Sequence, residues 1–178
     1  MKIKNGHIEI RVDKFLKKDS LGNWNTIPPI PADKVGDVNC HKFVLYVIGK
    51  ISLEEMISDA RMQKDAGADF TFGETARSIS NIPFTPVKTL ESLFLFANEN
   101  CEIGKDYVGQ ILDVQTEEMA HSFIVQREPS DQYICFDKPG FKYPFAVSDL
   151  ETVLNFVNKD GEKSNQNQNW RFMPLDLV

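Results

Sequence analysis

Cysteine is scarce in this chain, with only Cys40, Cys101 and Cys135 among 178 residues. An odd, sparse set is unlike the disulfide framework of a small secreted domain, and it lacks the CxxC or CxxH spacing by which structural zinc sites are recognised. Free thiols in a reducing compartment are the expectation, with no metal and no cofactor. Histidine is equally rare, at His7, His41 and His121. No run approaches the roughly 18 apolar residues that span a bilayer, so no membrane span is expected. The opening Met-Lys-Ile-Lys-Asn-Gly-His has no apolar h-region, which points to a cytoplasmic protein or to one secreted without a recognisable signal peptide. Gathered positive charge is missing too. The 20 Lys and Arg are scattered and outnumbered by 26 Asp and Glu, for a net charge of −6, which argues against a nucleic-acid partner because phosphate binding draws on clustered cations. No internal repeat divides the chain.

What is present is the composition of an ordinary folded protein, 42% apolar and 26% charged, which speaks against disorder and against a fibrous architecture. The length suits a single domain over residues 1–178, large enough to bury roughly 70% of the surface of its unfolded chain. Ile8, Ile10 and Val12 alternate with polar neighbours and predict a strand over 7–12. Gly22, Pro28, Pro29, Pro31 and Gly36 make 21–38 a long loop that delivers the chain to Cys40. From Cys40, the residues Phe43, Val44, Val47 and Ile48 recur at helical spacing and Gly49 stops the run, so a short buried helix starts at the cysteine.

Ser52-Leu-Glu-Glu55 is a capping box and opens a second, more polar helix to about residue 64. Residues 65–86 read as irregular connection with one helical turn over 74–79. A third helix follows Pro86, with Val87, Leu90, Leu93, Phe94 and Ala97 on one face, and ends within 98–100. The period then changes. Strands over 107–114, 119–127 and 133–137 form an antiparallel meander, followed by an extended piece over 143–147. A second capping box, Ser148 to Glu151, starts a helix with Leu150, Val153, Leu154 and Val157 inward. A polar loop over 158–169 and a closing strand over 170–177, placed at a sheet edge by Pro174, complete the reading. The fold class is α+β, N-terminal helices packed on an antiparallel β-sheet.

A cysteine at a helix start has a reason to be reactive: unpaired N–H groups and the positive end of the helix dipole favour thiolate over thiol, and the same N–H groups suit an oxyanion. Cys40 is so placed. Cys101 follows a helix C-terminus and Cys135 lies mid-strand, where neither has that support. A thiolate mechanism also needs an imidazole as base. His7 sits in the first predicted strand, and His41 neighbours the cysteine on a helix, where adjacent side chains diverge by about 100°. His121, at the head of a strand, is therefore the expected base, and Asp137, ending the next strand, its orienter. Parity tests the pair. A three-residue Pro129-Ser130-Asp131 loop sets Asp137 opposite Phe123, one diagonal step from His121, on one face of the sheet. Singly, Cys40 reads as a small core hydrophobe, His121 as a core histidine and Asp137 as the cap of the Lys138-Pro-Gly turn. Order and parity are what join them.

Val-Asn-Cys40-His-Lys-Phe-Val-Leu-Tyr-Val-Ile-Gly resembles the nucleophile helix of NlpC/P60-type cysteine peptidases. Ala-His121-Ser-Phe-Ile-Val resembles their histidine strand, and Tyr-Ile-Cys-Phe-Asp137 their third-residue strand. The resemblance runs from Asn39 to Asp137. It implies a papain-like fold and a cysteine hydrolase, a bacterial peptidase or amidase that forms an acyl-enzyme on a peptide or protein substrate without a cofactor. Transglutaminase-like proteins share the order of residues and are the nearest alternative: an acyl transferase or deamidase acting on proteins, a secreted bacterial effector included. A non-catalytic binding protein on the same fold is the third reading. Two positions depart from the pattern. Asn39 stands where aspartate is frequent, and His41-Lys42 replaces a small Ser-Gly pair, so crowding beside the nucleophile is expected. The helices between Cys40 and His121 would cap the cleft or shape a protein-sized substrate site. Oligomeric state is left open by the sequence.

Overall fold

Two three-residue strands that no hydrophobic alternation announces, β1 (Leu16–Lys18) and β2 (Trp24–Thr26), pair as an antiparallel hairpin. The expected loop over 21–38 is thus corrected at its start. Turn chemistry makes the hairpin: Asp19 Oδ1 accepts from Leu21 N at 2.9 Å, and Gly22 takes a φ of 87°, which a side chain would resist. Tyr46 fastens it to the helix described next, donating its hydroxyl to the Ile27 carbonyl at 2.7 Å while its ring meets Phe15 edge-on. The computed structural model describes residues 15–22, 24–27, 29–31, 33–34, 38–57, 82–113, 118–137, 146–160 and 168–174. The strand expected over 7–12, the helical turn over 74–79 and residues 58–64 of the second helix lie outside the described residues.

Helix α1 (Cys40–Val47) begins at the cysteine, as the periodicity requires. Its exit is a Schellman turn, with Gly49 at φ 76° donating to Tyr46 O and Lys50 donating to Leu45 O. Helix α2 (Leu53–Ile57) carries the expected capping box, Ser52 N to Glu55 Oε2 at 2.7 Å and Glu55 N to Ser52 Oγ at 3.2 Å. After β3 (Thr85–Pro86) comes α3 (Leu90–Asn100), capped by Thr89 and Ser92 in a reciprocal box. It starts later than expected because Val87 still bonds the neighbouring strand through Gln168 O. Phe94, expected inward, is 38% exposed; the buried stripe is Leu93 and Ala97.

The remaining strands are β4 (Asp106–Asp113), β5 (Glu118–Arg127), β6 (Tyr133–Asp137) and β7 (Ala146–Ser148), then α4 (Leu150–Asp160) and β8 (Gln168–Pro174). Asp149, not Ser148, caps α4, accepting from Thr152 N at 2.8 Å, because Ser148 is drawn into the sheet opposite Cys135. Among the described residues six strands make one sheet, ordered β3-β8-β4-β5-β6-β7, every pair antiparallel. The closing strand is interior, not an edge. Pro174 is tolerated because β3 reaches only Asn169 and Trp170, so no strand asks for its missing N–H on that side.

Period-two alternation divides the sheet between two cores. Val108, Ile124, Phe136 and Met173 pack against α1, with Phe43, Val44, Val47 and Met56. Phe123, Val125, Cys135, Trp170 and Phe172 pack against α3 and α4 through Leu93, Ala97, Leu150 and Val153. Both faces being covered explains the unbroken Phe-Ile-Val run of β5. The α+β class stands, with the sheet between helices on both faces rather than beneath the N-terminal ones alone. Among the described residues no helix is long and apolar enough to cross a membrane.

Candidate active site

Asn39 sets the geometry of the nucleophile. It is the N-cap of α1, with extended backbone, and its Oδ1 accepts from His41 N at 2.8 Å and Lys42 N at 3.3 Å. The departure from aspartate has a consequence here, since an amide caps the helix without placing a negative charge beside the thiol. Asn39→Ala is expected to lower stability by about 1 kcal/mol, read as a denaturant midpoint. Phe43 N is bonded to Asn39 O, so Asn39 engages the N–H groups of His41, Lys42 and Phe43 and the Cys40 N–H is the first-turn donor it leaves aside.

Strand β5 carries the imidazole. His121 pairs with Ile111, and the next rung joins Leu112 to Met119, so Ala120 is an extra residue in a β-bulge immediately before His121. His121 is the fourth residue of its strand and not its head, and the bulge marks a local change of twist at that point. Across the other edge the register is the one parity requires: Ile124 lies opposite Phe136, and Glu128 N bonds Gln132 O around the Pro129-Ser130-Asp131 loop. Asp131 adopts φ 64° to close it, a conformation aspartate tolerates. The result is a hydrogen bond of 2.8 Å between His121 Nε2 and Asp137 Oδ2.

His121 is bonded to Asp137 and acts on the Cys40 thiol, so the three residues singled out in the sequence bear on one another in the structure. Burial pushes the Cys40 thiol up, but hydrogen bonds to His121 and His41 and the charges of both imidazoles outweigh it, leaving the thiol well below its ordinary range. Burial would pull His121 down; the Asp137 hydrogen bond, the Cys40 hydrogen bond and the two negative charges carry it up to about 10. A thiolate-imidazolium pair is the arrangement these shifts describe. The other cysteines go the opposite way. Burial lifts Cys101 to about 12 against a weaker pull from Arg127, and burial with the charges of Asp137 and Asp149 lifts Cys135 well above the thiol range.

His41 is the residue that sequence reasoning passed over. It does not turn away from the site: 3% exposed, it helps to hold the Cys40 thiol down, and its Nδ1 lies 2.7 Å from Ser122 Oγ. Consecutive helix residues 40 and 41 thus engage consecutive strand residues 121 and 122. The expected crowding is a filled, hydrogen-bonded contact. Adjacent helical side chains diverge by 100° but are not opposed, so at a helix end both can meet one strand.

Support for His121 comes from behind. Its ring stacks on Phe123 at 5.9 Å, and Phe123 meets Trp170 edge-on. Gly109 pairs with Phe123, and a Cβ there would overlap the Phe123 ring. Gly109→Ala is expected to destabilise the fold by about 1–3 kcal/mol through overpacking, with a lowered denaturant midpoint. Among the described residues no group of three His, Cys, Asp or Glu side chains is gathered to hold a metal ion. Comparison of the chain with family models, curated proteins and solved structures gives no match, so the functional reading rests on this geometry.

Proposed function

We propose that the chain is a cysteine hydrolase of papain-like fold, related in its site to NlpC/P60-type peptidases, that cleaves an amide or peptide bond in a peptide or protein. The observation that carries this is the 2.8 Å hydrogen bond between His121 and the Asp137 carboxylate, beside a Cys40 thiol at a helix N-terminus whose ionisation His121 favours. Cys40 thiolate attacks the carbonyl carbon, and the oxyanion is received by the Cys40 N–H. The C–N bond breaks as the His121 imidazolium gives its proton to the leaving amine, leaving a thioester. Water then attacks the thioester, passing a proton to His121; the acid departs and the thiolate returns. Asp137 holds the ring and balances its charge throughout.

The carboxylate third residue also suits a transglutaminase-like reading, in which an amine replaces water at the second step or a side-chain amide is deamidated. Peptide, protein and peptidoglycan fragments incubated with the chain, with and without a primary amine, separate these readings. An acid product from peptide cleavage, absent with Cys40→Ser, supports the hydrolase; an amine-linked product supports the transferase. A binding protein on the same fold is distinguished by labelling. A thiol-directed electrophile at neutral pH is expected to modify Cys40 faster than Cys101 and Cys135, and His121→Ala to slow it. Uniformly sluggish labelling of all three would sink the enzyme reading.

A further inference from the structure

A one-imidazole mechanism leaves His41 without a task, yet its placement is specific. It is buried, its Nδ1 meets the fully buried Ser122 hydroxyl at 2.7 Å, and it stands one helix position after the nucleophile just as Ser122 stands one strand position after His121. Placing a buried imidazole beside a thiol has an electrostatic consequence, because a ring N–H aimed at the sulfur favours thiolate over thiol in surroundings that screen charge poorly. Ser122 is fixed by the sheet, so it orients the ring as a second residue commonly orients a working imidazole.

We propose that His41, oriented by Ser122, is a second imidazole of this site that holds Cys40 as a thiolate independently of the His121–Asp137 pair. The inference rests on the cysteine-hydrolase reading and adds to it a positioning residue on the nucleophile helix. The two arms differ in character. His121 is tied to a carboxylate and serves proton transfer with the leaving group; His41 is tied to a neutral hydroxyl and serves the ground state of the sulfur. Other charged and polar groups near the two imidazoles are Asp137 on β6, bonded to His121, and, along the same rung as Ser122, Gln110 on β4 and Arg171 on β8. The Arg171 charge is spaced from His41 by Gln110, which accepts from it.

The test is the pH profile of Cys40 alkylation by iodoacetamide, resolved by site in the full chain, for the wild type, His41→Gln, Ser122→Ala, His121→Ala and the His41→Gln/His121→Ala double variant. The wild-type midpoint is expected well below the free-thiol value of about 8.5. His41→Gln should raise it by about one pH unit, a tenfold slower reaction on the acid side. Ser122→Ala should raise it by less. His121→Ala alone should leave it below the free-thiol value, and the double variant should bring it there or above. A His41→Gln profile that superimposes on the wild type, or a His121→Ala variant that behaves as the double variant does, would overturn the inference while leaving the hydrolase reading intact. A wild-type midpoint near 8.5 overturns both. Should His41→Gln loosen the fold, seen as Cys101 and Cys135 labelling in step with Cys40, Ser122→Ala decides: a raised midpoint supports the arm, an unmoved one removes it.

Discussion

His121→Ala is expected to slow turnover of an amide substrate by ~10²–10⁴-fold, the range a positioned acid-base group supplies. Proton transfer to the leaving amine is the step that His121, held by Asp137, serves. Asp137→Asn keeps a hydrogen-bonding partner for the ring but removes its charge, and its effect should be on the order of 10²-fold or more. The pH profile carries the sign. Wild-type kcat/KM should rise on the acid side as Cys40 ionises, well below the ordinary thiol range, and fall on the alkaline side as His121 loses its proton near 10. Because the two groups titrate as a coupled pair, these limbs belong to the site rather than to either residue alone. Asp137 contributes to holding His121 up, so Asp137→Asn should bring the alkaline limb down and narrow the plateau. Stability follows the same logic. His121 is raised on folding from about 6.5, so its contribution is complete below that value and is lost as pH climbs to about 10. Steady-state rates across pH 4–11 for the three proteins check the first effect, and denaturant midpoints at pH 6 and 10 the second.

The largest stability effect is expected on the neighbouring rung of the sheet, the one that carries Ser122. Arg171 is 2% exposed, and its Nε and Nη2 donate to Gln110 Oε1 at 2.9 and 2.7 Å. Its remaining contacts are the Phe84 ring, 4.3 Å from the guanidinium carbon, and the Ile82 carbonyl at 3.4 Å. No carboxylate pairs with it among the described residues, and burial lowers it to about 10. Gln110→Leu removes the acceptor of two charge-assisted hydrogen bonds and leaves the guanidinium desolvated. Breaking one side of a buried charged contact costs about 3 kcal/mol or more, a large share of the roughly 5–15 kcal/mol that holds a domain. For a chain of this length that is a fall in Tm of about 6–12 °C. Gln110→Glu, which keeps an acceptor for the guanidinium, should recover most of the loss. A Gln110→Leu melt within about 1 °C of wild type would mean that the guanidinium finds another acceptor at little cost.

The parts of the site that were legible were those set by local period and by counting. Apolar spacing placed a helix start at Cys40, and the three-residue loop at 129–131 fixed the register that puts Asp137 beside His121. Both signals are carried by neighbouring residues. What escaped was set across the fold. His41 acquires its role from Ser122, 81 residues away, and helix geometry considered alone says only that it diverges from Cys40. The β1–β2 hairpin rests on the Asp19 turn and on Tyr46, not on alternation, so its strands carry no pattern to read. Pro174 suggests an edge for β8 but stands at its last position, whereas interior placement comes from pairing with β4 along seven rungs and with β3 on the other side. Late helix starts at Leu90 and Leu150 share one cause: the preceding residues are claimed by strand pairing before the caps take over.

The central claim is that Cys40 is ionised at neutral pH, paired with imidazole, while Cys101 and Cys135 are not. The ultraviolet absorbance of the thiolate near 240 nm, followed in the wild type and in Cys40→Ser from pH 4 to 10, measures this directly. The difference between the two titrations should show a single thiolate step centred well below the free-thiol value of about 8.5. A step centred near 8.5 or higher, the value of an unassisted thiol, would contradict it.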